Sequence, residues 1–173
     1  MNVAERMQVV EGDITSLAVG AIVNAANDML APGGGVCGAI HRAAGPGLAK
    51  ECQRLGGCPT GEARITSGHL LPASYVIHAV GPVCHGGDQG EPALLAKCYR
   101  AALELAADKR LADVAFPCIS TGIFGYPKAD ACKIAVATVS DWLRGNGFPE
   151  RVMFCCFSSD DAALYRAELR GVS

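Results

Sequence analysis

Short runs of β-branched and aromatic residues alternate with longer segments of helical period along this chain, and few architectures accommodate that alternation. Met7–Val10, Ala21–Val23, Tyr75–Val80, Val114–Phe116 and Val152–Phe157 are too short for helices and predict buried strands. Val36–Ala44, Pro92–Lys109 and Lys128–Arg144 repeat apolar residues every three or four positions and predict helices. In the second of these, Leu94, Leu95, Cys98, Ala102, Leu105 and Ala106 form one stripe. A last helix is expected after Ser158-Ser159-Asp160, which offer N-cap side chains, and carries Leu164, Tyr165 and Leu169. The fold class is therefore α/β, a three-layer α/β/α sandwich with a largely parallel central sheet. No Pro/Gly/Ser linker, charge block or repeat divides residues 1–173, so one domain is expected.

Half of the residues are apolar and 18% are charged, which supports a sizeable core. A formal charge of -2 gives no basic surface for bulk nucleic-acid or membrane binding. A ligand carrying phosphates would have to be held by local backbone donors. The nine cysteines show no CxxC spacing and read as small core hydrophobes in a reducing compartment. The opening MNVAERMQVVEGD lacks an apolar leader, and no run approaches the ~18 apolar residues of a membrane span. A cytoplasmic monomer is expected. His41, His69, His78 and His85 are scattered, without metal-site spacing, and no metal is expected.

Ligands on such sheets sit outside the carboxyl ends of the strands. The loops after Val23, Val80, Phe116 and Phe157 are therefore the informative ones. Asn24-Ala25-Ala26-Asn27 leads to Gly33-Gly34-Gly35-Val36 and a helix start, where free N–H groups and the helix dipole favour an anion. Read alone, the triple glycine is either that cradle or a flexible turn. The amides of Asn24 and Asn27 are suited to a neutral polyol. Ser120-Thr121-Gly122-Ile123-Phe124-Gly125-Tyr126-Pro127 forms a second backbone cradle or a turn before the next helix. It is not a Walker A loop, because no Lys-Ser or Lys-Thr follows the glycines. Two cradles on neighbouring strand ends suit a diphosphate. Asp13 either accepts a hydrogen bond from an exocyclic amine or caps a helix near Thr15, and Phe157 either stacks on a base or joins the core.

Together, Gly12–Thr15, Ala21–Asn27, Gly33–Gly45, Cys58–Ser67, Tyr75–Pro82 and Ile119–Pro127 resemble the macrodomain family in order and spacing, over roughly Val9 to Tyr165. The resemblance implies a mixed sheet between helices, ADP-ribose or an ADP-ribosylated protein as partner, and no cofactor. It assigns Asp13 to the adenine amine with Ile14 beside the base, and Phe157 to stacking on the ring. Gly33, Gly34, Gly35 and Val36 would clamp the diphosphate together with the loop Ser120–Tyr126, which includes Thr121, Gly122 and Ile123. Asn27 would fix the distal ribose, with Phe124 packed against it. The segment AIHRAAGP at 39–46 is similar to the branch that hydrolyses mono-ADP-ribosyl esters and O-acetyl-ADP-ribose, which makes Asn27, Gly35 and Cys37 the catalytic candidates. Two departures stand out: Cys37 replaces an aspartate common in that branch, and Pro32 replaces a glycine. The alternatives are a reader of ADP-ribosylated partners without turnover and an ADP-ribose 1″-phosphate phosphatase. Hydrolysis is expected to use an ordered water and not a Cys37 thiolate.

Overall fold

The computed structural model describes residues 2–172. Strands β1 (Met7–Glu11), β2 (Ala21–Ala25), β3 (Ala63–Ser67), β4 (Tyr75–Ala79), β5 (Asp113–Phe116) and β6 (Arg151–Cys156) form one sheet in the order β1-β6-β5-β2-β4-β3. All neighbours pair parallel except β3, which runs antiparallel to β4. The sheet is thus mixed and largely parallel. Helices α1 (Gly35–Ala44) and α2 (Pro46–Leu55) lie on one face, and α3 (Glu91–Asp108), α4 (Lys128–Gly145) and α5 (Ser159–Arg170) on the other.

Alternation along each inner strand divides the core. Ala21, Val23, Val114, Phe116, Val152 and Phe154 face the α3–α5 layer, whereas Ile22, Ala115 and Cys155 face α1 and α2. Because both faces are covered, the inner strands read as continuous apolar runs. On the larger side, Tyr99, Phe116, Phe154 and Tyr165 form a connected row, with ring centroids 4.9, 6.5 and 5.0 Å apart. Burying such a side chain is worth about 1.5–3 kcal/mol, so this row is a main tie between sheet and helices.

Two elements carry too little apolar pattern to be expected from sequence. The edge strand β3, Ala-Arg-Ile-Thr-Ser, is polar enough to resemble a loop. Helix α2 buries only Leu48 and Cys52 and begins with Pro-Gly, which imitates a turn. Its start is nonetheless favourable: Gly45 turns the chain at φ 81°, and Pro46 occupies the first helical position. Two boundaries also bear on the site: β2 extends through Asn24 and Ala25, and β6 stops before Phe157.

The loop leading into α3 is organised by the buried Glu91 carboxylate, which accepts N–H bonds from His85 (2.7 Å), Gly87 (3.0 Å) and Gln89 (2.6 Å). These bonds, that from His85 foremost, hold its pKa down at about 2, against an ordinary 4.5. A depressed carboxylate stabilises the fold above its unfolded pKa and loses that contribution as pH falls through the folded value. Glu91→Gln should therefore lower the urea midpoint at pH 6, and the gap from wild type should close between pH 4.5 and 2. A gap that stays constant across that window would deny the carboxylate this role.

Candidate functional site

Five strands run parallel, so the loops after β1, β6, β5, β2 and β4 share one edge of the sheet. Neighbouring strands β2 and β5 lead to helices on opposite faces, α1 and α4. Their loops diverge and open a crevice, the place where open α/β sheets bind ligands.

One wall is the loop into α1. Asn27 folds it: its Nδ2 donates to the Ala31 carbonyl (2.8 Å) and its Oδ1 accepts from the Ala31 N–H (3.0 Å). Gly33, Gly34 and Gly35 are exposed, and Gly35 adopts φ 56°, a region glycine enters freely. The N-cap of α1 is Gly34, which has no side chain to occupy the first-turn N–H groups. Those donors, with the dipole behind them, are arranged so that they can receive an anion. Gly38 then seats the loop on the helix, because a Cβ there would overlap the Gly33 carbonyl oxygen. Sequence reasoning missed this glycine, although a glycine inside a helix, costing about 1 kcal/mol against alanine, is itself a signal of close packing.

The opposite wall is the loop after β5. Ser120 holds φ 67°, and its carbonyl accepts from the Tyr126 N–H at 2.8 Å. Within that span Gly125 donates to the Gly122 carbonyl (3.0 Å), and Thr121 Oγ1 donates to the Cys118 carbonyl (3.0 Å). The Phe124 carbonyl accepts from the Cys84 N–H at 2.8 Å, which ties the loop to the segment after β4. Gly81 belongs to that segment and makes room for the loop, since a Cβ on it would overlap Ser120 Oγ. Ile123 is 88% exposed and reaches across the crevice, 3.7 Å from where a Gly34 Cβ would sit. The two glycine loops therefore face each other.

Asp13 and Phe157 stand together at the far end. The Gly12 N–H donates to the Cys156 carbonyl (3.0 Å), which joins the residues just before each. Asp13 Oδ1 accepts from the Thr15 N–H (2.9 Å) and hydroxyl (2.7 Å), so it does cap the short 3₁₀ turn Ile14–Ser16. The hydroxyl bond, then the N–H bond, keep its pKa below the usual carboxylate value. It remains exposed and charged, and neither bond uses Oδ2. Phe157 is 89% exposed, which removes the core reading. Ile14 turns its side chain into the core beneath this rim.

Asn24 is corrected. It is 1% exposed and lies beneath α1, with Nδ2 3.1 Å from His78 Nδ1 and 3.7 Å from Cys37 Sγ. As a strand residue it points under the helix and supports the cradle from below. His78 completes that layer, with Nε2 2.9 Å from Thr66 Oγ1 and 3.6 Å from Cys52 Sγ. Burial foremost, and the neighbouring His41, push its pKa to about 3, so it is neutral. Cys37 is buried, and its thiol donates to the Ala31 carbonyl at 3.7 Å. Both ring nitrogens of His41 are without a protein partner, and burial lowers its pKa. The shared helix face of Cys37 and His41 thus holds no Cys–His dyad.

Two surface cavities of about 470 and 660 Å³ run along α3 and α4, and neither is lined by Asp13, Phe157 or Gly33–Val36. No helix among the described residues is long and apolar enough to cross a membrane. Those residues contain no cluster of His, Cys, Asp and Glu that could hold a metal ion.

The chain is a mixed six-stranded α/β/α sandwich with paired glycine loops at the switch point where open sheets of this class take ligands. Comparison narrows this: the macro domain family model matches residues 23–135, and the chain belongs to that family. A macro domain-containing protein of Methanosarcina mazei is 57% identical over 95% of this chain and 88% of its own length. An O-acetyl-ADP-ribose deacetylase of Escherichia coli K12 is 53% identical over 92% of this chain and 93% of its own. Among solved structures, a point mutant of the Oceanobacillus iheyensis macrodomain with ADPR superposes with a TM-score of 0.91 at 44% identity, covering 95% of this chain and 91% of that one.

Proposed function

We propose that this chain binds ADP-ribose in the crevice and hydrolyses its esters, O-acetyl-ADP-ribose and Asp- or Glu-linked mono-ADP-ribose among them. The observation that carries the reading is the pair of facing glycine loops, one on an uncapped helix start, with an exposed carboxylate and aromatic ring at the far end. Their order along the crevice suits a diphosphate with adenine to one side and a ribose to the other. The name of the E. coli relative supports the hydrolysis, and the ADPR in the O. iheyensis structure supports the binding.

In this reading the N–H groups of Gly33–Val36 and of Ser120–Ile123 hold the diphosphate. Phe157 stacks on adenine, and Asp13 Oδ2 accepts its amine hydrogen. Asn27 and Phe124 orient the distal ribose beside Gly35. A water held between a ligand phosphate and that ribose adds to the ester. The ester C–O bond breaks, leaving ADP-ribose and a carboxylic acid.

The adenine end yields one expectation. Asp13→Ala should weaken ADP-ribose binding by about 1.5–3 kcal/mol, the usual worth of a hydrogen bond to a charged group. The inosine analogue, which lacks the amine, should lose much less in the same titration. Equal losses for both ligands would leave Asp13 as a cap alone.

Single-turnover release of ADP-ribose from a glutamate-linked mono-ADP-ribosylated protein, and of acetate from O-acetyl-ADP-ribose, tests the hydrolysis. Wild type should release both, and Cys37→Ala should keep most of the rate, because the thiol is engaged with Ala31 under the loop. Inactivity of Cys37→Ala with binding intact would assign the chemistry to the thiol. Binding without release by wild type would favour the reader, a reading that gains from the absence of a carboxylate at Cys37.

A further inference from the structure

Strands β5 and β6 pair in parallel with Phe116 opposite Phe154. Two residues further along each chain, the same register brings Cys118 level with Cys156. Their sulfurs lie 4.0 Å apart. Both are free thiols in the α3–α5 layer, with Cys156 fully buried and Cys118 half-buried. Adjacent strands are spaced about 4.8 Å, within the ~4.4–6.8 Å between Cα atoms that a disulfide spans. Closing the bond to about 2.05 Å therefore needs side-chain rotation and small adjustment, not a new backbone path.

From this geometry we infer that Cys118 and Cys156 form a dithiol that a peroxide converts to a reversible disulfide beneath the crevice. The position matters because the Cys118 carbonyl anchors Thr121 in one glycine loop, and Cys156 immediately precedes Phe157. The bond ties the stem of that loop to the strand that carries the exposed ring.

The chemistry divides between the two sulfurs. A contact from the Cys156 thiol, aided by the Tyr165 hydroxyl and then the Lys128 charge, holds the Cys118 pKa below the ordinary thiol value despite burial and Asp161. The Cys118 thiolate attacks one peroxide oxygen, the O–O bond breaks, and the other oxygen leaves as hydroxide or alkoxide that takes up a proton. The Cys156 sulfur then attacks the resulting Cys118 sulfenic sulfur. The S–O bond breaks, the S–S bond forms, and the oxygen departs as water carrying the Cys156 proton. The two sulfurs together lose two electrons and the peroxide gains them.

The experiment is non-reducing peptide mapping of the folded protein after hydrogen peroxide, acid quenching and alkylation. The expected result is a Cys118–Cys156 cross-linked peptide pair in most molecules, an intact mass two hydrogen atoms lighter, and full reversal by dithiothreitol. Cys156→Ser, whose hydroxyl can still donate to the Cys118 sulfur but cannot form a disulfide, should instead leave Cys118 as a sulfenic acid that dimedone captures. If both cysteines stay free while other thiols oxidise, the proposal is wrong. A Cys118 bridge to any other cysteine, or to a second chain, overturns it equally.

Discussion

Asn27→Ala should lower the rate of ester hydrolysis by roughly 100-fold, the scale expected when reacting atoms are displaced by about 1 Å. ADP-ribose affinity should fall by no more than about tenfold, or 1.4 kcal/mol. The asymmetry follows from where the side chain acts. Asn27 holds Ala31 by two hydrogen bonds and thereby shapes the approach to Gly33–Gly35. A Gly33 Cβ would lie 3.6 Å from Asn27 Nδ2, so the amide borders the glycine loop as well. On the proposed binding mode, removing it loosens the wall at the distal ribose, while the adenine end and the second loop keep their contacts. Single-turnover rates and calorimetric affinities on the same preparation check this. Equal losses in both would reduce Asn27 to an anchor.

Gly38→Ala should be the most damaging single methyl group in the site. The added carbon overlaps the Gly33 carbonyl, and backbone cannot rotate away as a side chain can. Overpacking of this kind costs about 1–3 kcal/mol of stability. The larger effect is on the ligand, because the loop or the first turn of α1 must move and its N–H groups lose their common aim. Losing one charge-assisted bond, at about 1.5–3 kcal/mol, corresponds to roughly 10–100-fold in affinity. Gly147→Ala is the control, since its Cβ would meet nothing within 4 Å. Unchanged ADP-ribose affinity in Gly38→Ala, measured beside that control, would detach the loop's seating from binding.

The sheet was legible in the sequence because its inner strands are buried on both faces and therefore apolar throughout. That logic fails at the edges. At β3 Arg64, Thr66 and Ser67 read as loop, and α2 has only Leu48 and Cys52 to mark its face. The glycine loops were legible because an exposed cradle tolerates little else. Asn24 was misplaced for the opposite reason. Its side chain looks like a ligand donor in one dimension, whereas the strand's alternation sends it under α1 toward His78 and Cys37. Phe157 and Asp13 each had two readings from sequence. Exposure removed one for the ring, while Asp13 turned out to be a cap that leaves its second oxygen available. The Cys118–Cys156 contact required the β5–β6 register, which no spacing along the chain reveals.

Calorimetric titration of the wild-type protein with ADP-ribose shows whether the crevice is an ADP-ribose site. The expected result is a one-to-one isotherm with a Kd of about 1 μM or tighter, equivalent to about -8 kcal/mol. No heat and no thermal shift at millimolar ADP-ribose would contradict it.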